Sequence, residues 1–202
     1  MLHSAGWALA LYHLCCLVPV IVWGRALWRG TLKMPSGKQL GLLVVASVLF
    51  SAGAIVLYKV LGDMMLNSQN TFDLLVRLGY NTSIFLPLSI YFIVVNSALE
   101  EFFWRGVVLN KLDQIRAPFK HFGLIWSSIA YAGFHYSIMR LVLYPGWAEV
   151  GTILLAVYGA LLAVIYRRNG SIIWTSLCHA LLTDTAAIVL IVTLFHRLRL
   201  PL

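Results

Sequence analysis

Apolar residues in this chain come in runs of roughly twenty, the length a helix needs to cross a hydrocarbon core of about 30 Å. Six such runs can be drawn, at 5–24, 40–61, 84–109, 121–143, 148–166 and 171–195. They predict an all-α fold, a polytopic transmembrane helical bundle of about six spans. An outer-membrane barrel would show short segments of alternating polarity, and these runs are continuous. Composition agrees: 61% of the 202 residues are hydrophobic and 11% charged, whereas soluble domains run at about 45–50% and about 25%.

The breaks between runs carry the basic residues. Arg25, Arg29, Lys33 and Lys38 lie in the first connection, Lys111, Arg116 and Lys120 in the third, Arg167 and Arg168 in the fifth. The positive-inside rule places these three connections in the cytoplasm and the N-terminus outside. Arg197 and Arg199 in the tail run against that assignment. The net charge of +8 therefore reads as orientation and headgroup contact rather than nucleic-acid affinity. The first run lacks a basic leader and a small-residue cleavage site, so it is expected to remain as a span. Cys15, Cys16 and Cys178 form no CxxC or Cys/His spacing and read as small buried residues. Segment 62–83 reads as a polar outer loop holding a short amphipathic helix at 72–78. The chain divides into an N-terminal pair of spans with that loop, 1–83, and a four-span core, 84–202.

Within these lipid-grade runs sit a few polar groups. Glu100, Glu101 and Arg105 occupy the third run, Tyr131 and His135 the fourth, and His179, Thr183 and Asp184 the sixth. A carboxylate near the bilayer centre costs about 2.5–3.5 kcal/mol on insertion scales, so such groups usually serve function. Counting helical rise from the cytoplasmic ends puts Glu100 roughly 14 Å, His179 roughly 12 Å and His135 roughly 21 Å deep. These depths allow one carboxylate and two imidazoles from three helices to meet in one pocket. Glu101 and Arg105 are i,i+4 and suit an ion pair. Glu100 is rotated about 100° from Glu101, which assigns the two acids separate tasks: Glu101 to Arg105, Glu100 to the pocket. Tyr131 shares a face with His135, and His179 with Thr183. Asp184 is off that face unless the helix bulges. Trp104, one turn from Glu100, is placed to wall the pocket. His13, near the outer end of the first run, reads as an interface residue. A carboxylate held out of bulk water beside a neutral imidazole can activate water, and a second imidazole can donate to a developing oxyanion. The set therefore suits hydrolysis of a peptide carbonyl in or at the bilayer.

These residues resemble a known pattern. Glu100-Glu101-Phe-Phe-Trp-Arg105 is similar to the EExxxR motif of the CPBP family, the CAAX-protease and bacteriocin-processing (Abi) glutamic-type intramembrane proteases. Tyr131-Ala-Gly-Phe-His135 resembles its FxxxH motif, with tyrosine for phenylalanine. His179 to Thr183 resembles its third motif, a histidine followed four residues later by asparagine or aspartate. The resemblance covers roughly residues 84–191. It implies that Glu100 and His135 activate water, that His179 and a fourth-position partner form the oxyanion site, and that Glu101 and Arg105 order the pocket. Position 183 departs from the pattern. Either Thr183 donates the hydrogen bond, or Asp184 reaches in through a π-bulge, or the oxyanion site is weak.

The resemblance implies an endopeptidase that cuts near the membrane end of a lipidated or membrane-anchored substrate: a CAAX-type tail, a leader peptide or a C-terminal sorting signal. A site without cofactor is favoured; a divalent metal such as zinc on Glu100, His135 and His179 is the alternative, although no HExxH motif is present. Expected partners are the substrate and the lipid bilayer, with no nucleic acid, and the expected location is a bacterial inner (plasma) membrane. A non-catalytic scaffold or bacteriocin-immunity protein is the alternative of another class. A proton-coupled transporter ranks below it, because no Gly/Pro-broken half-helices or inverted repeat are seen.

Overall fold

The computed structural model describes residues 5–80, 82–116 and 119–198. Seven helices organise them: α1 Gly6–Trp23, α2 Gly37–Met65, α3 Ser68–Arg77, α4 Ser83–Asp113, α5 Phe122–Val142, α6 Trp147–Asn169 and α7 Ile172–Arg197. The protein is an all-α, polytopic membrane bundle. Five of these helices (α1, α2, α4, α6 and α7) are long and apolar enough to cross a membrane. The expected fourth span is present as α5, 21 residues long, or about 31 Å at helical rise. It falls short in apolarity rather than length, since Ser127, Ser128, Tyr131, His135, Tyr136 and Arg140 dilute it.

Local sequence explains the helix ends. Ser36 starts α2 with a capping box: its hydroxyl accepts from Gln39 N, and Gln39 Oε1 accepts from Ser36 N at 2.8 Å. Asn67 caps α3 by accepting from Asn70 N at 2.9 Å. The polar stretch expected to be loop is thus the first turn of α3, which begins four residues before the expected 72–78 helix. Gly170, at φ +58°, closes α6 in the left-handed conformation open to glycine, and Ser171 immediately caps α7 through Trp174 N at 3.0 Å.

Contacts between connections sort the two ends of the bundle. At one end Asp113 pairs with Arg167, and Ser171 Oγ donates to Lys33 O. At the other Tyr144 N donates to Met65 O at 2.9 Å, and Arg197 pairs with Asp63 at 2.7 Å. The first, third and fifth connections therefore share one end, and Arg197 lies at the other. Arg199 is outside the described residues.

The bundle is apolar outside and polar at its centre. Val44, Val48 and Leu49 of α2 and Ile153, Leu154 and Val157 of α6 are exposed, as a lipid-facing surface requires. Glu100, Glu101, Arg105, His179, Asp184, Asn96, Ser97 and His13 are buried. Lipid removes the hydrophobic drive for helix association, which leaves close packing and interhelical hydrogen bonds to hold the helices together.

Candidate active site

Three helices deliver the site residues that the sequence singles out: α4, α5 and α7. Two of them depart from regular α geometry where they do so. In α4, π-helical turns at Phe92–Asn96 and Phe102–Leu109 bracket the pair Glu100 and Glu101. In α7 the turn His179–Asp184 is π-helical. A fourth π turn, Tyr12–Leu17, lies in α1 and carries His13. A π turn lets in one extra residue and redirects the side chains after it, at the expense of regular i→i−4 bonding, and it is enriched at functional sites. Each of the four bears a member of the polar cluster: His13, Asn96, Arg105, and His179 with Asp184.

Glu101 is fully buried. Its Oε1 accepts from Arg105 Nη1 at 2.6 Å and lies 3.0 Å from His179 Nδ1. Arg105 also donates through Nη2 to the Gly159 carbonyl of α6 at 3.1 Å. Pairing of Glu101 with Arg105 alone is therefore corrected: Glu101 joins α4 to α7 through His179 as well. The two acids nonetheless differ in what they meet: Glu101 is bonded to Arg105 and His179, and Glu100 Oε2 is unbonded among the described residues. Glu100 Oε2 lies 3.9 Å from His179 Nε2 and 3.6 Å from His135 Nε2, and it has no hydrogen-bond partner among the described residues.

His135 is the most open member, with its side chain 20% exposed. Its Nδ1 contacts the Tyr131 carbonyl at 2.8 Å. A carbonyl only accepts, so Nδ1 carries the hydrogen and Nε2 of the neutral ring presents a lone pair toward Glu100. Tyr131 contributes its ring. The ring centroid is 4.5 Å from that of His135, 5.8 Å from Trp104 and 6.0 Å from His179, with the Arg105 guanidinium 4.8 Å over it. Trp104 is buried beside it, and its Nε1 has no partner among the described residues.

The two residues competing for the oxyanion position separate clearly in space. Thr183 Oγ1 donates to the His179 carbonyl of its own helix at 2.9 Å. Asp184 is carried round by the π turn until Oδ1 lies 3.4 Å from His179 Nε2. Its Oδ2 accepts from Ser97 Oγ at 2.6 Å and from Asn96 Nδ2 at 3.5 Å.

His13 is also corrected. It is buried rather than interfacial, with Nδ1 2.7 Å from Tyr91 OH and Nε2 3.0 Å from Asn96 Oδ1. Tyr91, Asn96 and Ser97 escaped sequence reasoning because single polar residues in an apolar run carry no spacing signal. The usable hint was Asn96-Ser97, adjacent polar residues one turn before Glu100. Among the described residues no three His, Cys, Asp or Glu side chains are grouped to hold a metal ion, the Glu100, His135 and His179 set included.

The Type II CAAX prenyl endopeptidase Rce1-like family matches residues 82–183, half of the chain. The protein belongs to this family. It is thus a CAAX-protease-type enzyme, an endopeptidase of multi-pass integral membrane form. No curated protein and no solved structure matches the chain. The matched segment holds Glu100, Glu101, Arg105, Tyr131, His135, His179 and Thr183. It stops one residue short of Asp184 and leaves out His13.

Proposed function

We propose that the protein is a glutamic-type intramembrane endopeptidase in which Glu100 and His135 activate water against a peptide bond near the membrane end of a lipidated or membrane-anchored substrate. The observation that carries this reading is the unbonded Glu100 Oε2, buried and facing two imidazole Nε2 atoms at 3.6 and 3.9 Å. Glu100 takes a proton from a water that His135 Nε2 also binds, and the hydroxide attacks the carbonyl carbon. The same proton then passes to the leaving amine. His179, as an imidazolium whose Nδ1–H is held by Glu101 and whose Nε2–H faces Asp184, turns that Nε2–H to the developing oxyanion. Asp184 supports His179 in place of the Asn or Asp that the family motif has at position 183. The exposed edge of His135 is the side from which the scissile bond enters. No metal takes part in this step.

Among substrate classes, a CAAX-type tail follows most directly from the family. Leader peptides and C-terminal sorting signals are the runners-up. The experiment uses the purified full-length protein in detergent and a fluorogenic farnesylated CAAX peptide, with membrane-anchored leader and sorting-signal peptides as parallel probes. Cleavage of at least one probe by wild type, its loss in Glu100→Gln and its survival in EDTA support the reading. Full cleavage by Glu100→Gln overturns the mechanism, and loss in EDTA restored by zinc overturns its metal-free form.

A further inference from the structure

A line of hydrogen bonds, part-buried at Tyr91 and buried from His13 inward, leads from the first span to the candidate oxyanion histidine. Tyr91 OH meets His13 Nδ1 at 2.7 Å, His13 Nε2 meets Asn96 Oδ1 at 3.0 Å, and Asn96 Nδ2 reaches Asp184 Oδ2 at 3.5 Å. Asp184 Oδ1 then faces His179 Nε2 at 3.4 Å. The donors and acceptors along this line are constrained. Asn96 uses its NH₂ on the carboxylate, so its Oδ1 accepts and His13 Nε2 carries the hydrogen. The neutral His13 ring then accepts at Nδ1 from the Tyr91 hydroxyl. The Ser97 hydroxyl has one hydrogen for two acceptors, Asp184 Oδ2 at 2.6 Å and Ile93 O at 2.7 Å, so Asn96 is the second donor that Asp184 Oδ2 has when that hydrogen turns to Ile93.

From this we infer that His13 is a positioning residue for the peptidase: through Asn96 it holds Asp184 against His179, which makes the first span part of the active site. The inference rests on the proposed role of His179. It explains why α1 breaks into a π turn at Tyr12–Leu17, a register shift that brings His13 inward, where it is almost wholly buried. It also offers a compensation for the Thr183 departure. The family motif supplies its partner four residues after the histidine; here the partner is Asp184, one residue later and off that face, and it needs an outside anchor. His13 and Asn96 supply one. Partners that orient a metal-bound histidine change activity by about 10–100-fold when removed, and an effect of that order is expected for His13.

The test uses full-length protein in detergent micelles with ring-¹⁵N histidine, the His179 signals being assigned by loss in His179→Gln. His13→Phe is expected to shift the His179 ring nitrogens and to lower kcat on the cleaved probe about 10–100-fold with little change in KM. His13→Gln keeps a donor for Asn96 and an acceptor for Tyr91, and is expected to restore both. Unmoved His179 signals in a folded His13→Phe protein overturn the inference, as does His13→Gln failing as completely as His13→Phe. Should His13→Phe not fold, Asn96→Ala cuts the same line one bond on, and unmoved signals there overturn it equally. Glu100→Gln run alongside separates the two readings. If it still cleaves, the proposed mechanism falls while the ring signals continue to judge His13. If it is dead and His13→Phe matches wild type in signals and kcat, only the His13 inference falls.

Discussion

His179 stands among three carboxylates, with Nδ1 3.0 Å from Glu101 Oε1 and Nε2 3.4 Å from Asp184 Oδ1 and 3.9 Å from Glu100 Oε2. One imidazole thus faces both neighbouring acids, bonding Glu101 and leaving Glu100 Oε2 unbonded among the described residues. The bond to Glu101 is anchored by Arg105, which spends one nitrogen on Glu101 and another on the Gly159 carbonyl.

That anchoring makes Glu101 a stability residue. Glu101→Ala leaves Arg105 buried without its counter-charge, which typically costs about 3–5 kcal/mol. Thermal unfolding in detergent should show a large drop for Glu101→Ala and a smaller one for Glu101→Gln, which retains an acceptor for Arg105 and His179. A Glu101→Ala protein that melts with wild type would refute the ion-pair role.

Glu100 should behave in the opposite way. Its Oε2 bonds nothing among the described residues, so Glu100→Gln removes a proton acceptor and little else. The expected loss of kcat is about 10²–10⁴-fold, the usual contribution of a general base, with the melting temperature within error of wild type. Activity and stability falling together would instead make Glu100 a structural member of the cluster.

The structure also ranks Thr183 and Asp184. Thr183→Val removes a hydroxyl that donates to the His179 carbonyl of its own helix. Asp184→Ala removes the group facing His179 Nε2 and leaves Ser97 and Asn96 without their shared acceptor. Steady-state assays should find Asp184→Ala far more damaging to kcat than Thr183→Val. The reverse order would return the oxyanion support to the motif position.

What the sequence revealed and what it hid follow one physical divide. The span positions were legible because twenty apolar residues have few alternatives in water or lipid, and the Glu101–Arg105 pair was legible because i,i+4 spacing on a helix is rigid geometry. The π turns were not, since one extra residue in an apolar run leaves no periodic trace. With them went the inward turn of His13 and the link between Glu101 and His179. Asp184 was an intermediate case: its one-residue offset from the motif required either a bulge or irrelevance, and only coordinates distinguish these. The expected fourth span is present as α5, but Ser127, Ser128 and Tyr131 are turned into the bundle, so averaged hydropathy understates how well this helix fits it.

Tyr131 offers the cleanest separation of ring from hydroxyl. Its ring touches Arg105, His135, His179 and Trp104 at centroid distances of 4.5–6.0 Å, and the corresponding family motif has phenylalanine there. Tyr131→Phe keeps every one of those contacts and should leave both melting and kcat close to wild type. Tyr131→Ala opens a void at the meeting point of α4, α5 and α7, and should cost about 3–5 kcal/mol as large aromatic deletions do. Packing against α6 gives an independent check, because a Cβ on Gly159 would stand 3.0 Å from Tyr131 Cδ1 and 3.6 Å from Arg105 Nη2. Gly159→Val should therefore push the same ring and reproduce part of the Tyr131→Ala loss, read by melting in detergent and by the farnesylated-peptide assay. A Tyr131→Phe protein that folds normally but has lost cleavage would show that the hydroxyl, and not the ring, serves the reaction.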